Sequence, residues 1–134
     1  MNQTSSDIAL VRRALVLHAG LGILGFAGFA FVGPWLTTVL FGVGIDRLTA
    51  VLFGVATFCL SMSTATGRHV LIAWGLPRRV FASVVVGAVV GVPTSLLLAG
   101  QFGAVGGAAG LAAAEASVLL VQAVMIVASR RVRR

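Results

Sequence analysis

Four long apolar runs dominate the pattern of hydrophobic and polar positions along the chain. The hydrocarbon core of a bilayer is about 30 Å thick, so a membrane-spanning helix needs about 20 mostly apolar residues. Each run approaches or exceeds this length. The sequence therefore predicts an all-α integral membrane protein, with transmembrane helices at residues 14–32, 48–74, 80–98 and 104–128.

The first two runs have unusual lengths, and the segments between runs are short. Gly33-Pro34 breaks the first run, and a short apolar piece follows at 35–41. A first helical turn tolerates proline, which allows this piece to extend the first helix past a kink. The second run would rise roughly 40 Å as a helix, so we expect it to tilt or protrude.

Short connectors make sequential helices antiparallel neighbours, and they lie here at 43–47, 75–79 and 99–103.

Composition excludes several classes of protein. The chain has 134 residues, of which 59% are hydrophobic and 10% are charged. A soluble domain carries about 25% charged residues, so this chain is not an ordinary soluble domain. Its high hydrophobicity excludes a disordered chain. Cys59 is the single cysteine, which excludes a disulfide-stabilised scaffold.

Positive charge lies at the ends of the apolar runs. All ten basic residues are arginines, and the net charge is +7. Four antiparallel helices place Arg47 on one side of the membrane and the other nine arginines on the opposite side. Positive charge marks the cytoplasmic side, so both termini are predicted to be cytoplasmic, in the inner or plasma membrane. The predicted regions are a polar tail at 1–13, a transmembrane domain at 14–128 and an Arg-rich tail at 129–134.

The positions of the arginines also indicate whether this basic chain binds lipid headgroups or nucleic acid. Arginines next to transmembrane helices contact anionic lipid headgroups, and nucleic-acid binding instead needs a basic patch on one face of a domain. The sequence therefore predicts the lipid bilayer as a partner and no nucleic acid.

Small residues recur at helical spacing in the third and fourth runs. In a bilayer, small residues let helix backbones approach closely, so the glycines of these runs are predicted to form helix-packing faces. The predicted packing glycines are Gly87, Gly91, Gly103, Gly106, Gly107 and Gly110.

A polar stripe follows one face of the second run, because its members are spaced by four, three and four residues. In one interpretation the stripe lines a wet cleft in which these side chains contact a substrate. In the other, the terminal arginine extends to lipid headgroups and the hydroxyls bond to carbonyl oxygens one turn back. The sequence leaves both open. The stripe consists of Thr57, Ser61, Thr64 and Arg68.

Glu115 is the acid that falls inside an apolar run, since Asp7 and Asp46 lie outside the runs. Helix rise places it roughly 16 Å deep in the bilayer. An ionisable group at that depth costs at least about 2.5 kcal/mol and is a functional candidate by default. Gln122 lies seven residues further along the same face. The alternative is a neutral Glu115 that forms one interhelical hydrogen bond.

No enzyme is predicted, because the sequence contains no nucleophile triad, phosphate-binding loop or metal-ligand spacing. The prediction therefore includes no catalytic residue, no metal and no cofactor. His18 and His69 are each expected to lie at the membrane interface.

Several motifs, in a shared order along the chain, are typical of one family. The segment LLAGQFGAVGGAA at 97–109, followed by Ala114-Glu115, resembles the C-terminal end of polysaccharide flippases. These are the Wzx-like branch of the multidrug/oligosaccharidyl-lipid/polysaccharide exporter superfamily. VLFG at 39–42 and WGLPRR at 74–79 are similar to turns of that family. Here Ala99-Gly100 replaces the family's Ile-Pro, and full members have many more than four spans.

The resemblance implies a transporter segment that takes part in the export of undecaprenyl-linked saccharides. By this resemblance, Arg68 is a cavity cation for a diphosphate or an acidic sugar, and Glu115 is a coupling carboxylate. Four helices cannot enclose such a path, so a truncated or split gene product is expected, or partner membrane helices from a homo-oligomer or from the remaining flippase half. The alternatives are a non-transport assembly or scaffold protein and, less favoured, a small dimeric cation or drug exporter.

Overall fold

The computed structural model describes residues 3–132, with side chains described from residue 8 to residue 129. Every regular element in this range is a helix. In chain order the elements are α1 (Gln3–Ala27), a first π-helical segment (Gly28–Val32), α2 (Gly33–Phe41), α3 (Arg47–Thr66), a second π-helical segment (Gly67–Ile72), α4 (Pro77–Phe102) and α5 (Ala104–Val132).

These elements contain four stretches that are long and apolar enough to cross a membrane. This confirms the prediction of an all-α chain with four candidate transmembrane helices. We refer to them as span 1 (Ile8–Phe41), span 2 (Arg47–Ile72), span 3 (Pro77–Phe102) and span 4 (Ala104–Ser129).

The first helix continues beyond its predicted end at residue 32, as far as Phe41. Pro34 lacks an amide proton and would break a regular helix interior, but it lies in the first turn of α2. The amide of Gly33 bonds to the carbonyl oxygen of Gly28, five residues back. This wider π turn absorbs the interruption, so the predicted break becomes a change of helix type within span 1.

Helices also extend past other predicted ends. Residues 3–13 belong to α1, where the sequence predicts a separate polar tail. The third helix covers 77–102 rather than 80–98, because Pro77 occupies its first turn and proline is tolerated there. The backbone of the Arg-rich tail is helical to Val132, and the side chains of its arginines lie outside the described residues.

Each short connector contains a glycine with positive φ, which L side chains rarely adopt. These are Gly42 with φ 67°, Gly75 with φ 73° and Gly103 with φ 61°.

Asp46 caps the N-terminus of α3. Its carboxylate accepts hydrogen bonds from the Thr49 amide at 2.9 Å and from the Thr49 hydroxyl at 2.5 Å. The hydroxyl bond, followed by the amide bond, holds the pKa of Asp46 below its ordinary value. The cap satisfies an amide that has no partner within the helix and fixes where span 2 begins.

Span 2 is the centre of the packing. In its most apolar stretch 39% of the residues are buried, against 11% in span 1 and 17% in spans 3 and 4. Span 1 packs against span 2, span 2 packs against span 4, and span 3 packs mainly against span 4. The second π segment also contacts α4. The spatial order of the spans is therefore 1–2–4–3, which differs from their order in the sequence.

The contact between spans 3 and 4 contains four of the six predicted packing glycines. A Cβ added at any of the four would overlap an atom of the facing helix. Gly107 makes an ordinary contact with Ala99, and Gly103 has no heavy atom within 4 Å of an added Cβ. The close contacts pair Gly87 with Val118, Gly91 with Ala114, Gly106 with Leu98 and Gly110 with Ser95.

Candidate functional site

Gln122 is the most buried polar side chain of span 4, with 2% of its surface exposed. Its Oε1 accepts a hydrogen bond from the hydroxyl of Thr66 at 2.5 Å. Its Nε2 donates to the hydroxyl of Ser83 at 3.1 Å. One side chain of span 4 therefore joins span 2 and span 3, and we call Thr66, Ser83 and Gln122 the Gln122 cluster.

The second π segment begins beside this cluster. Thr66 is the last residue of α3, and Gly67 opens the π segment. A Cβ on Gly67 would lie 3.4 Å from Nε2 of Gln122, so glycine leaves room for the amide between the helices. Single π turns inside α-helices frequently occur at functional sites. The geometry here is one in which Gln122 holds the end of α3 against spans 3 and 4.

The same contact continues to the end of span 4. Nη1 of Arg79 donates to the hydroxyl of Ser129 and, at 3.5 Å, to the carbonyl oxygen of Met125. Ser129 in turn donates to the Met125 carbonyl oxygen at 2.6 Å. Every buried side-chain nitrogen or oxygen among the described residues has a hydrogen-bond partner. The buried polar groups at this contact therefore have their hydrogen bonds satisfied within the chain.

The predicted polar stripe of span 2 divides between two surroundings. Ser61 donates to the backbone carbonyl oxygen of His18 in span 1 at 2.7 Å. Thr57 donates within its own helix at 2.8 Å, and its methyl group lies 2.7 Å from where a Cβ on Gly25 would be. Two of the four stripe residues therefore pack against span 1.

The other two stripe residues do not contact span 1 through a hydrogen bond. Thr64 donates to the carbonyl oxygen of Leu60 at 2.8 Å, one turn back in its own helix. Arg68 is exposed at the second π segment and has no hydrogen bond or ion pair with the described residues. Arg68 thus remains available to a group outside this part of the chain.

Glu115 lies half-buried in a groove of about 480 Å³ between spans 3 and 4. The groove is lined by apolar and small side chains, among them Gly91, Ser95 and Leu111. The carboxyl group has no hydrogen bond or ion pair with the described residues. Gln122 does not line this groove, so the two polar residues of span 4 that the sequence grouped together have different surroundings.

Two histidines contact each other in the structure, and the sequence did not predict this contact. The rings of His18 and His69 lie edge to face, with their centroids 5.6 Å apart and their planes at 63°. Nδ1 of His18 lies 2.9 Å from the carbonyl oxygen of Ala14. The two histidines are 51 positions apart, and no local pattern connects them. Only the contact between span 1 and the second π segment brings them together.

Among the described residues, no group of three or more His, Cys, Asp or Glu side chains is arranged to hold a metal ion. The polar atoms of the Gln122 cluster have partners within the chain, so this cluster holds helices together. Of the predicted candidate residues, Glu115 and Arg68 have capacity for a further ligand, and the histidine pair has it too. Comparisons of the chain with protein-family models, with curated proteins and with solved structures give no match.

Proposed function

We propose that this chain is a four-span segment of a membrane transporter of the polysaccharide-flippase type. In this role it assists the export of an undecaprenyl-linked saccharide across the inner or plasma membrane. The observation that carries the proposal is the environment of Glu115. A carboxyl group inside an apolar span, in a groove and without a hydrogen-bond or ion-pair partner in the described chain, is energetically expensive and marks a functional candidate by default.

The topology that we propose has antiparallel spans and both termini in the cytoplasm. The glycine contacts support opposite directions for spans 3 and 4, because residues later in span 3 meet residues earlier in span 4. The arginine distribution supports the cytoplasmic side for the termini. Reporter fusions at residue 45 and after the last residue test this arrangement. A cytoplasmic signal at residue 45 would contradict it.

Further membrane helices are part of the proposal. Spans 1, 3 and 4 bury less than a fifth of their most apolar stretches within the chain, and the Glu115 groove is open. Another copy, another chain or another part of a longer protein completes the substrate path. In the completed path Arg68 binds a phosphate or acidic sugar through charge-assisted hydrogen bonds, and Glu115 couples transport to an ion.

Saccharide export in cells that depend on this protein tests the function. Glu115→Gln removes the ionisable group with almost no change in size, so we expect a large loss of export and accumulation of the lipid-linked saccharide. Glu115→Asp is expected to retain part of the activity. Asp46→Asn is the matched control, since Asp46 is an acid outside the spans, and it is expected to export normally.

The outcomes separate the proposed roles. Export by Glu115→Gln at the wild-type rate, at every external pH tested, would exclude the coupling role. Normal export in cells that lack the chain would exclude the transporter. If the chain is required only for assembly of another membrane complex, the scaffold alternative replaces it.

A further inference from the structure

We propose that His18 and His69 form a binding site for a divalent transition-metal ion, and that the bound ion joins span 1 to span 2. The inference is independent of the transport proposal, because it rests on this pair of side chains and on the contact between the two spans. Neither residue contributes to the Gln122 cluster or to the Glu115 groove.

The separation of the two rings suits one shared ion. Metal–nitrogen bonds are about 2.0–2.1 Å long, which places a coordinated imidazole centroid about 3 Å from the metal. Two imidazoles in neighbouring positions therefore have centroids about 5 Å apart on a tetrahedral ion and about 4 Å apart on a square-planar one. The observed distance between the centroids of His18 and His69 is 5.6 Å, which is close to the separation that a shared tetrahedral ion requires.

The hydrogen bond of His18 leaves a nitrogen free for the metal. A carbonyl oxygen can only accept, so the Nδ1 that lies 2.9 Å from the Ala14 carbonyl oxygen carries the proton. In the neutral ring, Nε2 then has an unprotonated lone pair. Histidines that bind metals typically donate their other ring N–H to a carboxylate or a backbone carbonyl, which fixes the tautomer and orients the ring. His18 has this arrangement.

The backbone around the pair is held in place. Ser61 donates to the carbonyl oxygen of His18 itself, at 2.7 Å, which fixes this turn of span 1 against span 2. His69 is exposed, whereas its neighbours Val70 and Leu71 are buried. The second π segment is therefore anchored on its inner side, and the His69 side chain is accessible from outside. His69 has no hydrogen bond with the described residues.

The donor set selects the class of metal. Two neutral imidazoles without a carboxylate suit Cu²⁺, Ni²⁺ and Zn²⁺ better than Mg²⁺ or Ca²⁺, and among these Cu²⁺ binds most tightly. Water or a donor from another molecule fills the remaining positions. Arg68 is adjacent to His69 in the chain, and its positive charge opposes a cation, so the bound ion is exchangeable rather than permanently held.

Copper binding to the full chain in detergent micelles tests the site. The chain contains two histidines and one cysteine, so a histidine-free tag at the N-terminus leaves this pair as the only imidazoles. We expect one Cu²⁺ per chain, with an electron paramagnetic resonance spectrum that shows two coordinated nitrogens. His69→Gln and His18→Gln should each weaken binding more than tenfold, and Cys59→Ser should bind as the wild type does.

Stability provides a second readout. An ion that binds only the folded protein raises its unfolding temperature, so copper should raise the unfolding temperature of the wild type and of Cys59→Ser but not of His69→Gln. The ring of His69 is exposed, so this variant is expected to fold normally. Binding that is unchanged in His69→Gln, a spectrum with one coordinated nitrogen, or no binding to the folded wild type at millimolar copper would overturn the proposal.

Discussion

Gln122→Met measures how much the Gln122 cluster contributes to holding three helices together. The change keeps the approximate length and volume of a side chain that is 2% exposed and removes both of its polar atoms. The remaining hydroxyls keep acceptors, since Thr66 also lies 3.0 Å from the Met62 carbonyl oxygen and Ser83 donates to the Val80 carbonyl oxygen. The variant therefore removes two interhelical hydrogen bonds without leaving a buried hydroxyl proton unpaired.

The expected cost follows from those two bonds. Interhelical hydrogen bonds in membrane proteins contribute about 0.6 kcal/mol on average and at most about 1.7 kcal/mol. We therefore expect Gln122→Met to lower the free energy of unfolding by about 1.2 kcal/mol, twice that average. Gln122→Ala also leaves a cavity, and large-to-small changes at buried sites cost roughly 2–5 kcal/mol. The alanine variant should therefore be clearly less stable than the methionine variant.

Unfolding of the purified chain in mixed detergent micelles with increasing dodecyl sulfate, followed by circular dichroism, gives these free energies. Thr66→Val and Thr64→Val are a matched pair, because Thr66 bonds to Gln122 and Thr64 bonds only within its own helix. We expect about 1–3 kcal/mol for the former, because it leaves the buried Oε1 of Gln122 without a donor, and almost no change for the latter. The reasoning is refuted if Gln122→Met is as stable as the wild type, or if a double-mutant cycle with Ser83→Ala gives no coupling.

Two further predictions concern the close helix contact and the cap of α3. Gly106→Ala should destabilise the chain by about 1–3 kcal/mol, because its Cβ would meet the backbone of Leu98; Gly100→Ala, which meets no atom within 4 Å, should be neutral or stabilising in the same unfolding assay. Because the pKa of Asp46 is lowered by its bonds to Thr49, the cap should stabilise α3 fully above the ordinary pKa of about 3.9 and be lost as the pH falls through the lower folded-state value. Amide-exchange protection of Thr49 should fall in that acidic range in the wild type. Asp46→Ala should lack the protection at neutral pH as well. Protection that is independent of pH, or that is retained in Asp46→Ala, would contradict the role of Asp46 as the cap.

The number of spans could be predicted because the thickness of the bilayer acts locally on each run of residues. The extension of span 1 past Pro34 stayed open in the sequence, because a proline after glycine is compatible with a helix end and with a π turn alike. The local sequence is compatible with a helix that ends before Pro34 and with one that continues through a π turn. Which of the two forms depends on how the first π segment packs against α3.

The candidate site was predictable only residue by residue. Burial depth singled out Glu115, but helical spacing grouped it with Gln122, and their surroundings differ. The His18–His69 pair and the partners of Gln122 depend on the spatial order of the spans. That order results from packing between distant segments, about which periodicity within one helix carries no information.

The 1–2–4–3 order of the spans has a consequence for biosynthesis. Span 3 leaves the ribosome ahead of span 4, yet span 4 provides most of its contacts. At about 5–20 residues per second, the 26 residues of span 4 take roughly one to five seconds to synthesise. During that interval Gly87 and Gly91 face lipid or the insertion machinery instead of span 4. Insertion of this chain therefore includes a waiting period, and a factor that shields the glycine face of span 3 would act within those seconds.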